Sequence, residues 1–247
     1  MRANAVRSLF WKESRQIARN RTALLTATFL PFIILFFAPI QLLVQFRLAP
    51  FSPEGDERFP VPGLADITEP SQLLVGFVYP VLFVVGGLLL PSVTTTYAII
   101  AERERRTLEL LISLPVSVAE ILAAKLLTVL AVTAMVGLPY VAAIVTLLLV
   151  IGIADAPAVL ALLATFAAAV VCATAISLLL TLLARDFRTA NNLNGVLLGP
   201  LLVVTVVTLL AVPGPAKTYV LSLVLLIAGA GALVVTRRWI SYERYLE

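Results

Sequence analysis

Charged residues of both signs concentrate in residues 101–120, which read AERERRTLELLISLPVSVAE. Two of its pairs, Glu102 with Arg106 and Arg105 with Glu109, stand four residues apart. Opposite charges at that spacing lie on one helix face and stabilise the helix. The sequence therefore predicts a short, highly charged helix in this segment.

The second half of the same segment is apolar and contains a proline that ends the helix. Leu108 and Leu111 belong to an apolar patch, and Pro115 ends the helical run. Ser117 and Glu120 have the spacing of a capping box that opens the next helix. Such a segment can dock onto a partner or can merely lie at the membrane interface and orient its flanking helices. The residues alone support both interpretations equally.

Groups for covalent or metal chemistry are scarce elsewhere. The chain has no His and a single Cys, Cys172, in an apolar stretch that favours a packing role. None of its lysines (Lys12, Lys125 and Lys217) belongs to a phosphate-binding GxxxxGK[ST] loop, and no G-x-S-x-G motif occurs. We therefore expect no catalytic residue, no metal site and no cofactor bound by this chain.

The composition indicates a membrane protein. Of 247 residues, 61% are hydrophobic and 13% are charged, about half the charged share of a soluble domain. A bilayer-spanning helix needs about 20 mostly apolar residues, and six runs of that length occur. We predict an all-α membrane protein whose six-helix transmembrane domain covers 22–247. Its predicted spans are about 22–45, 73–100, 121–151, 158–184, 192–212 and 218–236.

Two further segments complete the predicted organisation. Residues 1–21 are basic, with apolar residues on one helical face, which is typical of an amphipathic helix lying on a membrane surface. Residues 46–72 contain five prolines and form a polar extracytoplasmic loop. That loop covers the outer end of the bundle, gates an exit or binds a partner.

The basic residues predict the orientation. Fifteen of the 18 Lys and Arg residues fall on the side that holds both termini, which leaves Arg47, Arg58 and Lys217 for the other side. Positive charge favours the cytoplasmic side, so both termini are predicted to be cytoplasmic in a multi-pass cell (plasma or inner) membrane protein. Nucleic acid is not an expected partner, whereas membrane lipid is.

Acidic and basic residues are missing from the middle of every predicted span. Proton- or ion-coupled carriers usually keep such groups near mid-membrane, so an independent secondary carrier is disfavoured. If this protein moves a solute, the energy comes from a partner.

Small and polar residues within the spans have simpler interpretations. Gly195 and Gly199 form a GxxxG pair, for which packing within the chain is favoured over a dimer contact. The asparagines at 191, 192 and 194 are expected to cap the fifth span, with a polar vestibule as the alternative. The hydroxyls of Thr94 and Thr95 are expected to bond to carbonyls of their own helix rather than to line a pathway.

The stretch ERERRTLELLISLPVSVAEILAAKLL resembles the signature of ABC-2 type transporter permeases. The matching residues are Glu102, Glu104, Thr107, Leu108, Glu109, Leu111, Pro115, Ser117, Glu120, Ile121, Leu122 and Lys125. Arg106 stands where the family usually has Gly. The rest of the chain agrees more loosely, through its basic start and six spans.

The resemblance implies a permease subunit that works with a separate ATP-binding cassette ATPase and with a second permease copy or homologue. ATP would be bound by the ATPase, and residues 101–114 would form a coupling helix seated in a groove of that subunit. In this interpretation the charged residues make salt-linked contacts, and the leucines fill the groove. The charged residues are Glu102, Arg103, Glu104, Arg105 and Glu109; the leucines are Leu108 and Leu111.

The expected function is therefore ATP-driven export. Few charges are available to line a pathway, so a hydrophobic or amphiphilic substrate is favoured over a small ion or a polysaccharide. A membrane scaffold that transmits mechanical work from the same kind of ATPase is an alternative, because it would use the same coupling helix. An independent carrier is the other alternative.

Overall fold

The computed structural model describes residues 7–8, 10–12, 15, 28–48, 70–104, 118–183 and 187–240. In that part of the chain the regular structure is helical, with no β-strand. Six helices are long and apolar enough to cross a membrane. The prediction of an all-α membrane protein with six spans is confirmed.

The six helices follow one another with short connections where the chain is described. Helix α1 covers 28–48 and contains a π-helical stretch, Phe32–Phe37, before Ala38–Leu48. Helix α2 covers 70–104 and has its own π-helical stretch, Leu74–Val78, before Tyr79–Glu104. The remaining helices are α3 (Val118–Ile151), α4 (Ala156–Leu183), α5 (Phe187–Ala211) and α6 (Lys217–Ile240).

Helices α2 and α4 form the centre of the bundle. Helix α4 packs mainly against α2 and α6, and α2 also packs against α1, α3 and α5. In the membrane-spanning window of α4, 67% of the residues are buried, against 18% in α5. Many apolar side chains of α5 and α6 face outward and are exposed in this chain. A bilayer can solvate such side chains directly.

Glycines set the closest helix contacts. A Cβ at Gly87 of α2 would lie 2.8 Å from the Cβ of Ala169 on α4. A Cβ at Gly229 of α6 would lie 2.9 Å from the Cα of Cys172 on α4. Close backbone approach of this kind is how small residues pack helices in membranes. The fully buried Cys172 is thus a packing residue, as predicted.

The two π-helical stretches share one feature, a proline just after each of them. Pro39 and Pro80 each follow directly after a residue that donates its N–H five residues back, Ala38 to Ile33 and Tyr79 to Leu74. A proline ring clashes with the carbonyl four residues earlier and supplies no N–H. Widening the turn before the proline relieves that clash while the helix continues.

Tight turns join α3 to α4 and α5 to α6. Gly152 adopts a φ of 74°, and the N–H of Ile153 donates to the Leu148 carbonyl, which closes α3 with a Schellman motif. Asp155 then caps α4, because its Oδ1 accepts the N–H of Ala158 at 3.1 Å. Gly214, with a φ of 73°, lies in the turn between α5 and α6.

Much of the two segments outside the bundle lies beyond the described residues. Of the predicted amphipathic helix 1–21, residues 7–8, 10–12 and 15 are described, and their backbone is helical. Of the loop 46–72, the described residues are 46–48, which end α1, and 70–72, which begin α2.

Candidate functional site

The predicted coupling segment joins the end of α2 to the start of α3, and this end of the molecule is called the α2–α3 end below. The backbone of Glu102, Arg103 and Glu104 forms the last turn of α2, which ends at Glu104. The other predicted coupling residues lie outside the described part: Arg105, Leu108, Glu109 and Leu111. The docking role of all seven stays a prediction.

The first turns of α3 hold two buried charged residues. Glu120 lies in the first turn, where a carboxylate is favoured by the helix dipole. Lys125 follows one turn later and is only 3% exposed. Both make polar or electrostatic interactions with the rest of the chain. A buried charge is stable only when it is paired or hydrogen-bonded, so this end of α3 is held in a defined position.

Most hydroxyls inside the bundle bond to their own helix. Thr94 donates to the Leu90 carbonyl at 2.8 Å, which confirms the prediction for that residue. The same prediction is wrong for Thr95. Its buried hydroxyl, like that of Thr133, has no hydrogen-bond partner among the described residues. Other hydroxyl contacts cross between helices; for example, the hydroxyls of Ser177 on α4 and Ser92 on α2 lie 3.1 Å apart.

Two predictions for α5 are wrong. Helix α5 begins at Phe187, so the asparagines at 191, 192 and 194 lie inside it and do not cap it. A Cβ at Gly195 or Gly199 would meet no described atom within 4 Å, so the GxxxG pair does not pack within this part of the chain. The motif showed that close approach was permitted, but a sequence does not show which helix face is covered.

A cavity of about 690 Å³ opens at the opposite end of the bundle, called the α3–α4 end. Its walls come from the start of α2, the α3–α4 connection, and the α5–α6 connection with the start of α6. Lys217 lies in its wall. Sequence reasoning missed this site; the available signal was a lone lysine beginning an otherwise apolar span.

Among the described residues, no group of three or more His, Cys, Asp or Glu side chains is placed to hold a metal ion. Within the bundle, the buried charged residues Glu120, Lys125 and Lys217 lie in the first turns of α3 and α6.

Comparison with known proteins and families identifies the family of this chain. A search of curated proteins and a search of solved structures each gave no match. The family model described as ABC-2 family transporter protein matches residues 7–228, which is more than half of the chain and includes the first five spans and the first part of α6. Members of the ABC-2 family work with an ABC ATPase. The chain therefore belongs to the ABC-2 family of transporter proteins and is a multi-pass membrane component of an ABC transporter.

Proposed function

We propose that this chain is the permease subunit of an exporter in which a separate ATPase docks at the α2–α3 end. The family match is the observation that carries this proposal. ATP hydrolysis in the ATPase pair drives the movement of a hydrophobic or amphiphilic substrate out of the cell. Both termini are cytoplasmic, as the distribution of Lys and Arg favours. A second permease copy or homologue completes the pathway, and membrane lipid surrounds the assembly.

The packing of α2 supports a coupling role for the segment that follows it. Helix α2 runs from the α3–α4 end to Glu104, and it contacts α1, α3, α4 and α5. A force applied just beyond Glu104 therefore reaches four other spans through one packed helix. Packed helices transmit such displacements because the interior is dense and compresses little.

A double charge reversal tests the docking role. Glu102→Lys with Glu104→Lys replaces two carboxylates by ammonium groups at the end of α2. Where these carboxylates meet basic groups on the ATPase, reversal turns attraction into repulsion, which costs several kcal/mol at an interface. We expect substrate-stimulated ATP hydrolysis in reconstituted complex to fall by about tenfold or more, while membrane insertion of the permease is unchanged.

Glu54→Lys with Glu57→Lys is the matched control. It makes the same charge change in the predicted extracytoplasmic loop, and we expect its ATPase stimulation to equal that of the unmodified chain. Full stimulation in the Glu102 and Glu104 double variant would overturn the docking role. Co-purification of the tagged chain in mild detergent, with mass spectrometry, checks that an ATPase subunit is bound at all.

Transport separates the exporter from the scaffold that uses the same ATPase. Inside-out vesicles that carry the complex are expected to accumulate an amphiphilic substrate only when ATP is supplied. Normal ATP-dependent conformational change without accumulation of any solute would favour the mechanical role. An independent carrier is disfavoured because the described spans have no Asp, Glu, Lys, Arg or His in their central part.

A further inference from the structure

The cavity at the α3–α4 end has the size and chemistry of a binding site. Its volume of about 690 Å³ lies within the usual range of ligand pockets, roughly 300–1,000 Å³. Apolar side chains such as Val75, Ile153 and Ala161 share its walls with polar ones. A ligand that fills it therefore has both apolar and polar parts.

Lys217 is the buried cation of this cavity. Its side chain is only 6% exposed, although it begins a helix at the end of the bundle. Its Cε and Nζ lie 3.0 Å from the position that a Cβ at Gly76 would take. Gly76 of α2 thus leaves the space that the end of the lysine side chain occupies. Lys217 also makes a polar or electrostatic interaction with the chain, and an ammonium has three N–H donors to share.

The walls around Lys217 are fixed by hydrogen bonds between α4 and α6. The hydroxyl of Tyr219 donates to the Pro157 carbonyl at 3.0 Å. One helical turn deeper, the hydroxyls of Thr165 and Ser222 lie 3.1 Å apart. These contacts hold the start of α6, and with it the backbone of Lys217, against α4. The frame of the cavity therefore needs little rearrangement when a ligand binds.

The other charged residue of the described lining is Asp155, whose carboxylate repels an anion. Asp155 is exposed, and its Oδ1 accepts the N–H of Ala158 as the cap of α4. The hydroxyl of Thr218 donates to the Pro215 carbonyl. Of the two charged residues in the described lining, the ammonium of Lys217 therefore has the sign that attracts an anionic ligand.

An exposed apolar strip leads away from the cavity along α6. Tyr219 lines the cavity, and Leu223 and Ile227 follow it at intervals of four residues, each about half exposed or more. Residues at that spacing share one helix face. The strip extends about 12 Å from Tyr219 to Ile227, since a helix rises about 1.5 Å per residue. An acyl chain can lie along it while a head group occupies the cavity.

We propose that this cavity binds the anionic head group, a phosphate or a carboxylate, of a membrane amphiphile. Lys217 binds the charge, Gly76 provides the space for its ammonium, and the α6 strip contacts the tail. That the amphiphile is the exported substrate rests on the proposed function. The binding itself does not, because it requires only this chain.

The test measures lipid preference in the purified full chain in neutral detergent. Phosphatidic acid and phosphatidylcholine with identical acyl chains are titrated separately, and bound lipid is counted by native mass spectrometry. We expect phosphatidic acid to bind more tightly to the unmodified chain. Lys217→Met should reduce that preference by about fivefold or more, because a charge-assisted hydrogen bond is lost. Lys217→Arg should keep it within about twofold.

Lys125→Met is the matched control, since it removes an equally buried lysine at the other end of the bundle. We expect it to leave the lipid preference unchanged. Gly76→Val keeps the charge of Lys217 but fills the space at its ammonium, and we expect a loss of about threefold or more. If Lys217→Met does not fold, the lipid preference of Gly76→Val tests the role of the Lys217 ammonium on its own.

Three results would overturn the proposal. They are an unchanged preference in both Lys217→Met and Gly76→Val, an equal loss in Lys125→Met, and displacement of phosphatidic acid by inorganic phosphate at the same concentration. The last would show that the site takes a free anion and that the apolar strip contributes nothing. No ATPase is present in this measurement, so its outcome is separate from that of the Glu102 and Glu104 double variant.

Discussion

At the scale of single residues, the bundle depends on glycines that face a neighbouring helix. Gly229 and Gly231 stand two residues apart on α6 and read alike in the sequence AGAGA. In the structure a Cβ at Gly229 would meet the backbone of Cys172, whereas a Cβ at Gly231 would meet no described atom within 4 Å. A sequence shows that small residues are present, but the rotation of the helix decides which of them is needed.

This pair gives a matched test of packing. Gly229→Ala should destabilise the protein by about 1–3 kcal/mol, because α6 must move away from α4 to admit the methyl group. Gly231→Ala should be neutral or stabilising by up to about 1 kcal/mol, because Ala has the higher helix propensity. Unfolding by titration with a denaturing detergent measures both. Equal stability of the two variants would show that the α4–α6 contact is not as close as described.

At the scale of helices, the apolar runs of the sequence predicted the number of spans. The structure shows how those spans pack, which the runs could not. The prolines that follow the π-helical stretches of α1 and α2 were visible in the sequence, but the packing of the two stretches against each other was not. Tyr79, just before Pro80, donates its hydroxyl to the Pro39 carbonyl at 3.4 Å. The two residues are 40 positions apart, and a contact at that range follows from tertiary packing rather than from local pattern.

The contact between these two widened turns can be tested with two tyrosines that both pack near α1. Tyr79→Phe removes the donor to Pro39 and should cost about 0.5–1 kcal/mol, since the bond is long. Tyr140→Phe is the control, because Tyr140 makes ring contacts with Phe32 and Phe36 and its hydroxyl bonds to no described residue. Thermal unfolding in detergent should separate the two variants. A larger loss for Tyr140→Phe would contradict a stabilising role of the Tyr79 bond.

At the scale of the whole molecule, the two proposed sites lie at opposite ends of one bundle. The α2–α3 end has the charged segment that the sequence identified, because the residues of that segment form a local pattern. The cavity at the α3–α4 end draws on three separate parts of the chain, around Gly76, Asp155 and Lys217. No local pattern joins those parts, so the cavity appears only once the helices are packed. Helix α2 connects the two ends, since it begins at the cavity and ends at Glu104.

The orientation of this bundle can be measured with single cysteines. Cys172 is the only cysteine of the chain and is fully buried, so it need not be removed and should stay unlabelled by a membrane-impermeant maleimide. Ala156→Cys, exposed at the start of α4, should be labelled in intact cells. Thr189→Cys, exposed in the first turn of α5, should be labelled only after the membrane is permeabilised. Both expectations follow from the cytoplasmic preference of Lys and Arg. The reverse pattern would place the charged segment outside the cell, out of reach of ATP, and would contradict docking of an ATPase at the α2–α3 end.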